Sequence, residues 1–119
     1  MNIERPSGGL PLASIVVPVF NARGRVEQLL DILASQECSF PWDLTFIDSG
    51  SSDGTREWLE AEARTFPVPL HLHELGPESF DHGDTRNFGA AVTSGELLVF
   101  LTDDARPVGR SWLATVVRE

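Results

Sequence analysis

Short apolar segments alternate with helical patterns along this chain of 119 residues, and this alternation constrains the fold more than any other feature. Stretches with apolar residues at positions i, i+3, i+4 and i+7 predict amphipathic helices between the apolar segments. Alternating strands and helices are typical of an α/β fold, with a mostly parallel, Rossmann-like open sheet and helices on both faces. The predicted strands are 13–20, 43–47, 70–73 and 97–101.

Each predicted helix carries its apolar residues on one face. Residues 1–12 are rich in Pro and Gly and are predicted to be a flexible lead-in to one domain at 13–119. The helical stripes are Val26, Leu29, Leu30 and Leu33; Trp58, Leu59, Ala63 and Phe66; Phe88, Ala91 and Val92, with Gly95 as the C-cap; and Trp112, Leu113, Val116 and Val117.

The stretch 97–104 combines a continuous apolar run with two adjacent carboxylates. The apolar run predicts a strand covered on both faces, and Asp103 and Asp104 follow its carboxyl end, where open α/β sheets bind ligands. A divalent cation relieves the repulsion between two such carboxylates, and Mg²⁺ or Mn²⁺ combines carboxylates with substrate phosphates. Asn21 and Asp48 also end predicted strands, so we expect them to converge with Asp104 on one crevice.

The small polar segment 48–55 lies between a strand and a helix. Exposed backbone N–H groups in such a loop can bind an anion. Helix capping is the simpler explanation for Ser52 or Asp53, but it does not account for Asp48, which comes earlier. His71 and His73 are predicted to share one sheet face, and we favour a polar sheet face over a metal site because no third ligand is nearby.

Composition excludes several classes of protein. The net charge is −9 and there is no Lys, whereas a nucleic-acid-binding protein normally has a basic patch. Cys38 is the only cysteine, which excludes an internal disulfide, and it is predicted to be a passive thiol. No signal-peptide pattern or apolar run of about 20 residues is present. A cytoplasmic location is therefore predicted, and association with the inner face of a membrane is left open.

Three segments of the chain resemble one enzyme family. They are SIVVPVFN at 14–21, FIDSGSSDGT at 46–55 and HGDTRNFGAAVTSGELLVFLTDDARP at 82–107. In order and spacing they are similar to the amino-terminal, nucleotide-sugar-binding half of a family-2 glycosyltransferase with the GT-A fold. The segment around TRN and the form of the Asp motif look most like the rhamnosyltransferase branch, which uses dTDP-rhamnose.

The resemblance implies a site for a nucleotide-diphosphate sugar. Asp48 would accept a hydrogen bond from a pyrimidine base, Arg86 would contact the diphosphate or the sugar, and Asp104 would hold Mg²⁺ or Mn²⁺. Thr102 stands where the family has its first metal-motif Asp, so metal binding would rest on Asp104, alone or with Asp103, and metal dependence is an open question. Ser49 replaces a common second Asp of the nucleotide loop. The nucleotide-sugar-binding residues implied in this way are Pro18, Phe20, Asn21, Asp48, Ser49, Arg86 and Asp103.

The activity implied by the resemblance is inverting transfer of a sugar, with rhamnose one candidate, from a dTDP- or UDP-sugar to a hydroxyl acceptor such as a growing glycan or glycolipid. Inversion needs a general base to deprotonate the acceptor hydroxyl. We expect that base to belong to a carboxyl-terminal acceptor half absent from this chain, which predicts that the chain alone is inactive. An exposed apolar face is expected where that half would dock.

Three other functions share features with this sequence. A non-catalytic nucleotide-sugar-binding module remains open, because the sequence does not separate it from an enzyme. A phosphoacceptor receiver domain has a similar size and strand-end Asp residues, but it needs a Lys that this chain lacks. A nucleotidyltransferase would need a Gly-rich basic phosphate loop, of which NARGR at 21–25 is a poor version.

Overall fold

The computed structural model of the chain describes residues 11–75 and 88–118. The predictions for Arg86 and for most of the lead-in fall outside these residues. Residues 88–92 are helical. The remaining elements are β1 (Ala13–Val19), α1 (Arg23–Ala34), β2 (Trp42–Asp48), α2 (Thr55–Glu62), β3 (Leu70–Glu74), β4 (Leu97–Phe100) and α3 (Trp112–Arg118).

The four strands form one parallel sheet in the order β3-β2-β1-β4. Val19 lies opposite Asp48, so β1 and β2 end side by side. β4 pairs only with the first four residues of β1, 13–16, and Pro18 lies beyond this pairing. Its missing N–H therefore costs β1 no hydrogen bond to β4, which explains how a central strand accommodates a proline near its end.

Side chains alternate between the two faces of the sheet, as the pleat requires. Ile15, Val17 and Val19 belong to the main core cluster, together with buried residues of α1, α2 and α3. Val16 alternates with them and faces the other side, where the helical residues 88–92 pack: a Cβ atom added to Gly89 would lie 2.7 Å from Val16 Cγ1. The predicted α/β fold with helices on both faces is confirmed.

The face buried by the helical residues 88–92 differs from the predicted one. Ala91 and Val92 are exposed, whereas Gly89 is buried and Phe88 is half-buried. Phe88 packs edge-on against His73, with ring centroids 5.6 Å apart. The helix meets the sheet through Gly89, because the absence of a side chain permits close approach. An apolar sequence pattern does not predict such a contact. The prediction that Gly95 caps this helix is wrong, because the helical residues end at 92 and Gly95 lies three positions further on.

The prediction that β4 is covered on both faces is wrong. Leu97 is 42% exposed and Leu98 is 36% exposed, while Val99 and Phe100 are half-buried. Within the described residues β4 pairs only with β1, so it is an edge strand. An apolar run therefore indicated a strand correctly but did not indicate its place in the sheet.

The end of α1 holds the segment that leads into α3. The Gln36 side chain donates to Gly109 O at 2.8 Å and accepts from Leu113 N–H at 2.9 Å. Gly109 has φ of 88°, a left-handed conformation that glycine adopts without strain. Nearby, Cys38 is half-buried against the core, and burial raises the pKa of its thiol, in agreement with a passive role.

Candidate functional site

Three loops lie at the carboxyl edge of the sheet: residues 20–22 after β1, residues 49–54 after β2, and residues 101–106 after β4. The first turn of α1 contacts two of them. The Arg23 backbone N–H donates to Asp53 at 3.1 Å, and the Arg25 side chain donates to Asp103 at 2.9 Å. α1 thereby fixes the positions of the outer loops relative to each other.

Asp48 organises the loop after β2. Its Oδ2 accepts from the backbone N–H groups of Gly50 at 3.3 Å and Ser51 at 3.1 Å, and its Oδ1 accepts from the Ser51 hydroxyl. The residue is only 1% exposed, so these bonds compensate for the cost of burying a carboxylate. Gly50 has φ of 103°, which lets the chain reverse around the carboxylate.

Asn21 joins the loop after β1 to the loop after β2. Its backbone N–H donates to Ser51 Oγ at 2.9 Å, and its side-chain Oδ1 accepts from Ser52 N–H at 2.7 Å. Asn21 has φ of 47°, a left-handed conformation that Asn tolerates better than most residues. The structure thus brings Asn21 and Asp48 together through Ser51, as expected from their positions at strand ends.

Asp53 connects α2 to α1. Its Oδ1 accepts from the Thr55 backbone N–H at 3.1 Å, while its Oδ2 accepts from Arg23 N–H. The helix-end role expected for Asp53 is present, although Gly54 occupies the N-cap position itself. Desolvation raises the pKa of Asp53, but hydrogen bonds from Thr55 and Arg23 outweigh it and lower the pKa below its ordinary value.

We expect the stabilising effect of Asp53 to depend on pH. Because its pKa is lowered in the folded chain, the charged side chain should stabilise the fold above the unfolded pKa of about 3.9. That contribution should be lost as pH falls through the folded value. Urea unfolding of the wild type and Asp53→Asn at pH 7, 5, 4 and 3 checks this. A stability difference that does not shrink below pH 4 would contradict the expectation.

The loop after β4 carries the two adjacent carboxylates in different environments. Asp104 is exposed, and its Oδ1 accepts from the Thr102 hydroxyl at 2.6 Å, a bond that lowers the pKa of Asp104. Asp103 Oδ1 accepts from Arg25 Nε at 2.9 Å. Arg106 donates to the backbone oxygens of Asp103 and Ala105. Thr102 thus orients Asp104.

The contact between Arg25 and Asp103 was not predicted from the sequence, which assigned no role to Arg25. One signal could have pointed to it. The first turn of α1 contains no acidic residue and carries Arg23 and Arg25, although cations are unfavourable at the positive end of a helix dipole. Arginines in that position indicate carboxylates nearby, and the structure pairs the Arg23 side chain with Glu27 and the Arg25 side chain with Asp103.

The other predicted binding residues have different degrees of access. Phe20 is 45% exposed at the end of β1, and Pro18 is half-buried. Ser49 is fully buried, and its hydroxyl has no hydrogen-bond partner among the described residues. Its side chain is therefore not at the surface of the crevice.

The oxygen ligands at the crevice suit a divalent cation that takes its remaining ligands from a phosphate and from water. Within 11–75 and 88–118, no three His, Cys, Asp or Glu side chains are grouped as a protein-only metal site would require. The ionised, exposed Asp104 supplies hard oxygen donors, and Mg²⁺ and Mn²⁺ commonly take one or two carboxylates with phosphates and water.

The two histidines of β3 have partners of other kinds. His71 Nε2 lies 3.6 Å from Asp43 Oδ2, and His73 packs against Phe88. These contacts agree with the preferred interpretation of a partly polar sheet face. Each imidazole ring therefore already contacts a neighbouring side chain, Asp43 for His71 and Phe88 for His73.

The chain is similar to known glycosyltransferases. The model of the family described as Glycosyl transferase family 2 matches residues 14–119. Glycosyltransferase AglE of Haloferax volcanii is 32% identical over 87% of this chain and 34% of its own length. The O-antigen chain rhamnosyltransferase WbaN of Salmonella anatum is 32% identical over 81% of this chain and 29% of its own length.

The solved structures agree with the family match. The mannosyltransferase PcManGT from Pyrobaculum calidifontis, in complex with GDP-Man and Mn²⁺, superposes with a TM-score of 0.80 at 28% identity. That match covers 92% of this chain and 32% of the other. The chain therefore spans about a third of the length of these three proteins. No helix in the described part of the chain is long and apolar enough to cross a membrane.

Proposed function

Because this chain belongs to glycosyltransferase family 2 and has the GT-A fold, we propose that it forms the donor-binding part of an enzyme that transfers a sugar from a nucleotide-diphosphate sugar to a hydroxyl acceptor. The observation that carries the proposal is the assembly of Asn21, Asp48 and Asp104 on three loops at one sheet edge. Ligands of open α/β sheets bind at this edge.

The nucleotide end of the donor is proposed to lie against the loops after β1 and β2. Asp48 accepts three hydrogen bonds from its own loop, and a carboxylate has about four acceptor sites. The fourth site is proposed to accept from an N–H group of a pyrimidine base, which must reach a side chain that is only 1% exposed. Phe20, exposed at the end of β1, is proposed to supply an apolar ring for the base, and Asn21 keeps the two loops together.

The diphosphate end is proposed to lie against the loop after β4, with Asp104 as the metal-holding carboxylate and Asp103 and Arg86 as further donor contacts. A divalent ion, when bound, would stabilise the negative charge that develops on the departing diphosphate. Asp104 suits the task because the Thr102 hydroxyl favours its charged form. The binding of Mn²⁺ by the mannosyltransferase from Pyrobaculum calidifontis supports this assignment.

The donor sugar and the course of the reaction are also proposals. The similarity to the rhamnosyltransferase WbaN supports rhamnose as the donor sugar, and the proposed dTDP carrier rests on the resemblance to the rhamnosyltransferase branch. Inversion would require a general base on the acceptor side, and we place that base, with the acceptor site for a growing glycan or glycolipid, outside this chain. The chain by itself is then expected to bind donor without turnover, and the enzyme to act at the cytoplasmic face of a membrane.

Calorimetric titration with dTDP and UDP, each with and without Mn²⁺, tests the proposal. We expect binding that Mn²⁺ strengthens by about tenfold or more, and we expect Asp104→Ala to remove this gain because the metal loses its carboxylate. Asp31→Ala is the matched control, since it removes an exposed carboxylate from α1 and should leave the titration unchanged.

The alternatives give different titrations. If nucleotide affinity changes neither with Mn²⁺ nor in Asp104→Ala, the site uses no metal and is built from Asp48 and Arg86. No binding of either nucleotide would contradict donor binding by this chain.

A further inference from the structure

We propose that Arg25 is a positioning residue that holds Asp103 away from the metal, so that Asp104 alone supplies a carboxylate to the divalent cation. This inference rests on the proposed metal-assisted donor site and adds a residue to it. It explains why the two adjacent carboxylates of the loop after β4 have separate partners, Arg25 for Asp103 and Thr102 for Asp104.

The geometry gives the two carboxylates different roles. Arg25 Nε lies 2.9 Å from Asp103 Oδ1, and the Asp103 side chain is only 20% exposed. Asp104, by contrast, is exposed and accepts from Thr102 in its own loop. An ion can approach Asp104 from solvent without breaking an ion pair, whereas Asp103 already has a cationic partner.

The position of Arg25 strengthens this distinction. Arg25 belongs to the first turn of α1, and its guanidinium is attracted by Asp103 first and also by Asp104 and Asp53. If Asp103 turned towards a divalent ion, Arg25 would lose its hydrogen-bonded partner and face a second positive charge. Like charges at close range repel, so Arg25 favours a metal held by one carboxylate and completed by phosphate and water.

A consequence is that Mn²⁺ binds weakly until the nucleotide diphosphate supplies further oxygens. The arrangement also leaves Asp103 oriented for the donor, the role assigned to it above. Removing Arg25 should free Asp103 to become a second ligand and tighten the binding of Mn²⁺ alone.

The test is a double-mutant cycle on Mn²⁺ affinity, measured without nucleotide by electron paramagnetic resonance of free Mn²⁺. Four chains are compared: wild type, Arg25→Gln, Asp103→Asn and the double variant. We expect Arg25→Gln to tighten Mn²⁺ binding by about fivefold, the scale set by an exposed ion pair. Asp103→Asn should change the affinity by less than about twofold and should abolish the gain in the double variant.

Arg106→Gln is the charge-matched control. Arg106 lies on the same turn and bonds the backbone oxygens of Asp103 and Ala105 rather than a carboxylate. Its removal deletes one positive charge beside Asp104 without releasing Asp103, so its effect should stay below about half of that of Arg25→Gln. Urea unfolding of each variant checks that it is folded before the affinities are compared.

Several results would overturn the inference. An unchanged or weaker affinity in Arg25→Gln would do so, as would a gain that persists in the double variant, because that gain would come from charge removal alone. A several-fold loss in Asp103→Asn would show that Asp103 is already a ligand. If neither the wild type nor Arg25→Gln binds Mn²⁺, the inference fails, while nucleotide titration without metal still decides donor binding separately.

Discussion

Gly95→Ala is expected to destabilise the chain by about 3 kcal/mol, at the upper end of the usual cost of overpacking a close contact. A Cβ atom at Gly95 would lie 2.5 Å from Ser14 Oγ, 2.7 Å from Ser14 N and 2.9 Å from the carbonyl carbon of Ala13. The Gly95 N–H also donates to Ser14 Oγ at 3.0 Å. The methyl group would therefore force β1 away from the segment that leads into β4. Urea unfolding measures the loss.

Gly24→Ala is the matched control for this prediction. A Cβ atom at Gly24 has no heavy atom within 4 Å, and Gly24 belongs to α1, so alanine there should be neutral or stabilise by up to about 1 kcal/mol. Adding Ser14→Gly to Gly95→Ala should recover little stability, because two of the three close contacts are with backbone atoms. Full recovery would contradict the explanation by showing that the Ser14 side chain alone causes the strain.

Asp48→Ala is expected to reduce dTDP and UDP affinity by more than about tenfold and to lower stability by about 3 kcal/mol. The substitution removes the acceptor for two backbone N–H groups and one hydroxyl in a nearly inaccessible position. Ser51 would then lose the bond that orients it towards Asn21. Calorimetric titration and urea unfolding measure the two effects on the same preparation.

Two further variants separate loop geometry from charge. Asp48→Asn keeps the shape and one acceptor oxygen, so it should retain part of the stability while weakening contact with a base N–H. Ser51→Ala removes the hydroxyl shared by Asp48 and Asn21 but keeps the carboxylate, and it should cost less than Asp48→Ala. Unchanged nucleotide affinity in Asp48→Ala would contradict the place of this residue in the donor site.

The sheet could be predicted from the sequence because its signals are local. Each strand of the four is a short apolar or alternating segment, and each is followed or preceded by a helical stripe such as Val26, Leu29 and Leu33. Periodicity of this kind depends on neighbours in the chain. It does not depend on which strand lies at the edge, and so the exposure of Leu97 and Leu98 was missed.

Close approach and long-range ion pairing could not be predicted in the same way. Gly89 lets the helical residues 88–92 approach Val16 closely because it lacks a side chain, so its contribution has no apolar signature. The pairing of Arg25 with Asp103 joins residues that are 78 positions apart. Only the fold reveals that the first turn of α1 and the loop after β4 are neighbours.

The strand order has a consequence for the order in which the crevice forms. β1, β2 and β3 follow one another both in sequence and in the sheet, whereas β4 crosses back to pair with β1 at the opposite edge. Closing a long loop of chain costs entropy before its contacts form, which slows the pairing of distant strands. We therefore expect the Asn21–Ser51–Asp48 contacts to form before Asp103 and Asp104 reach their places beside them.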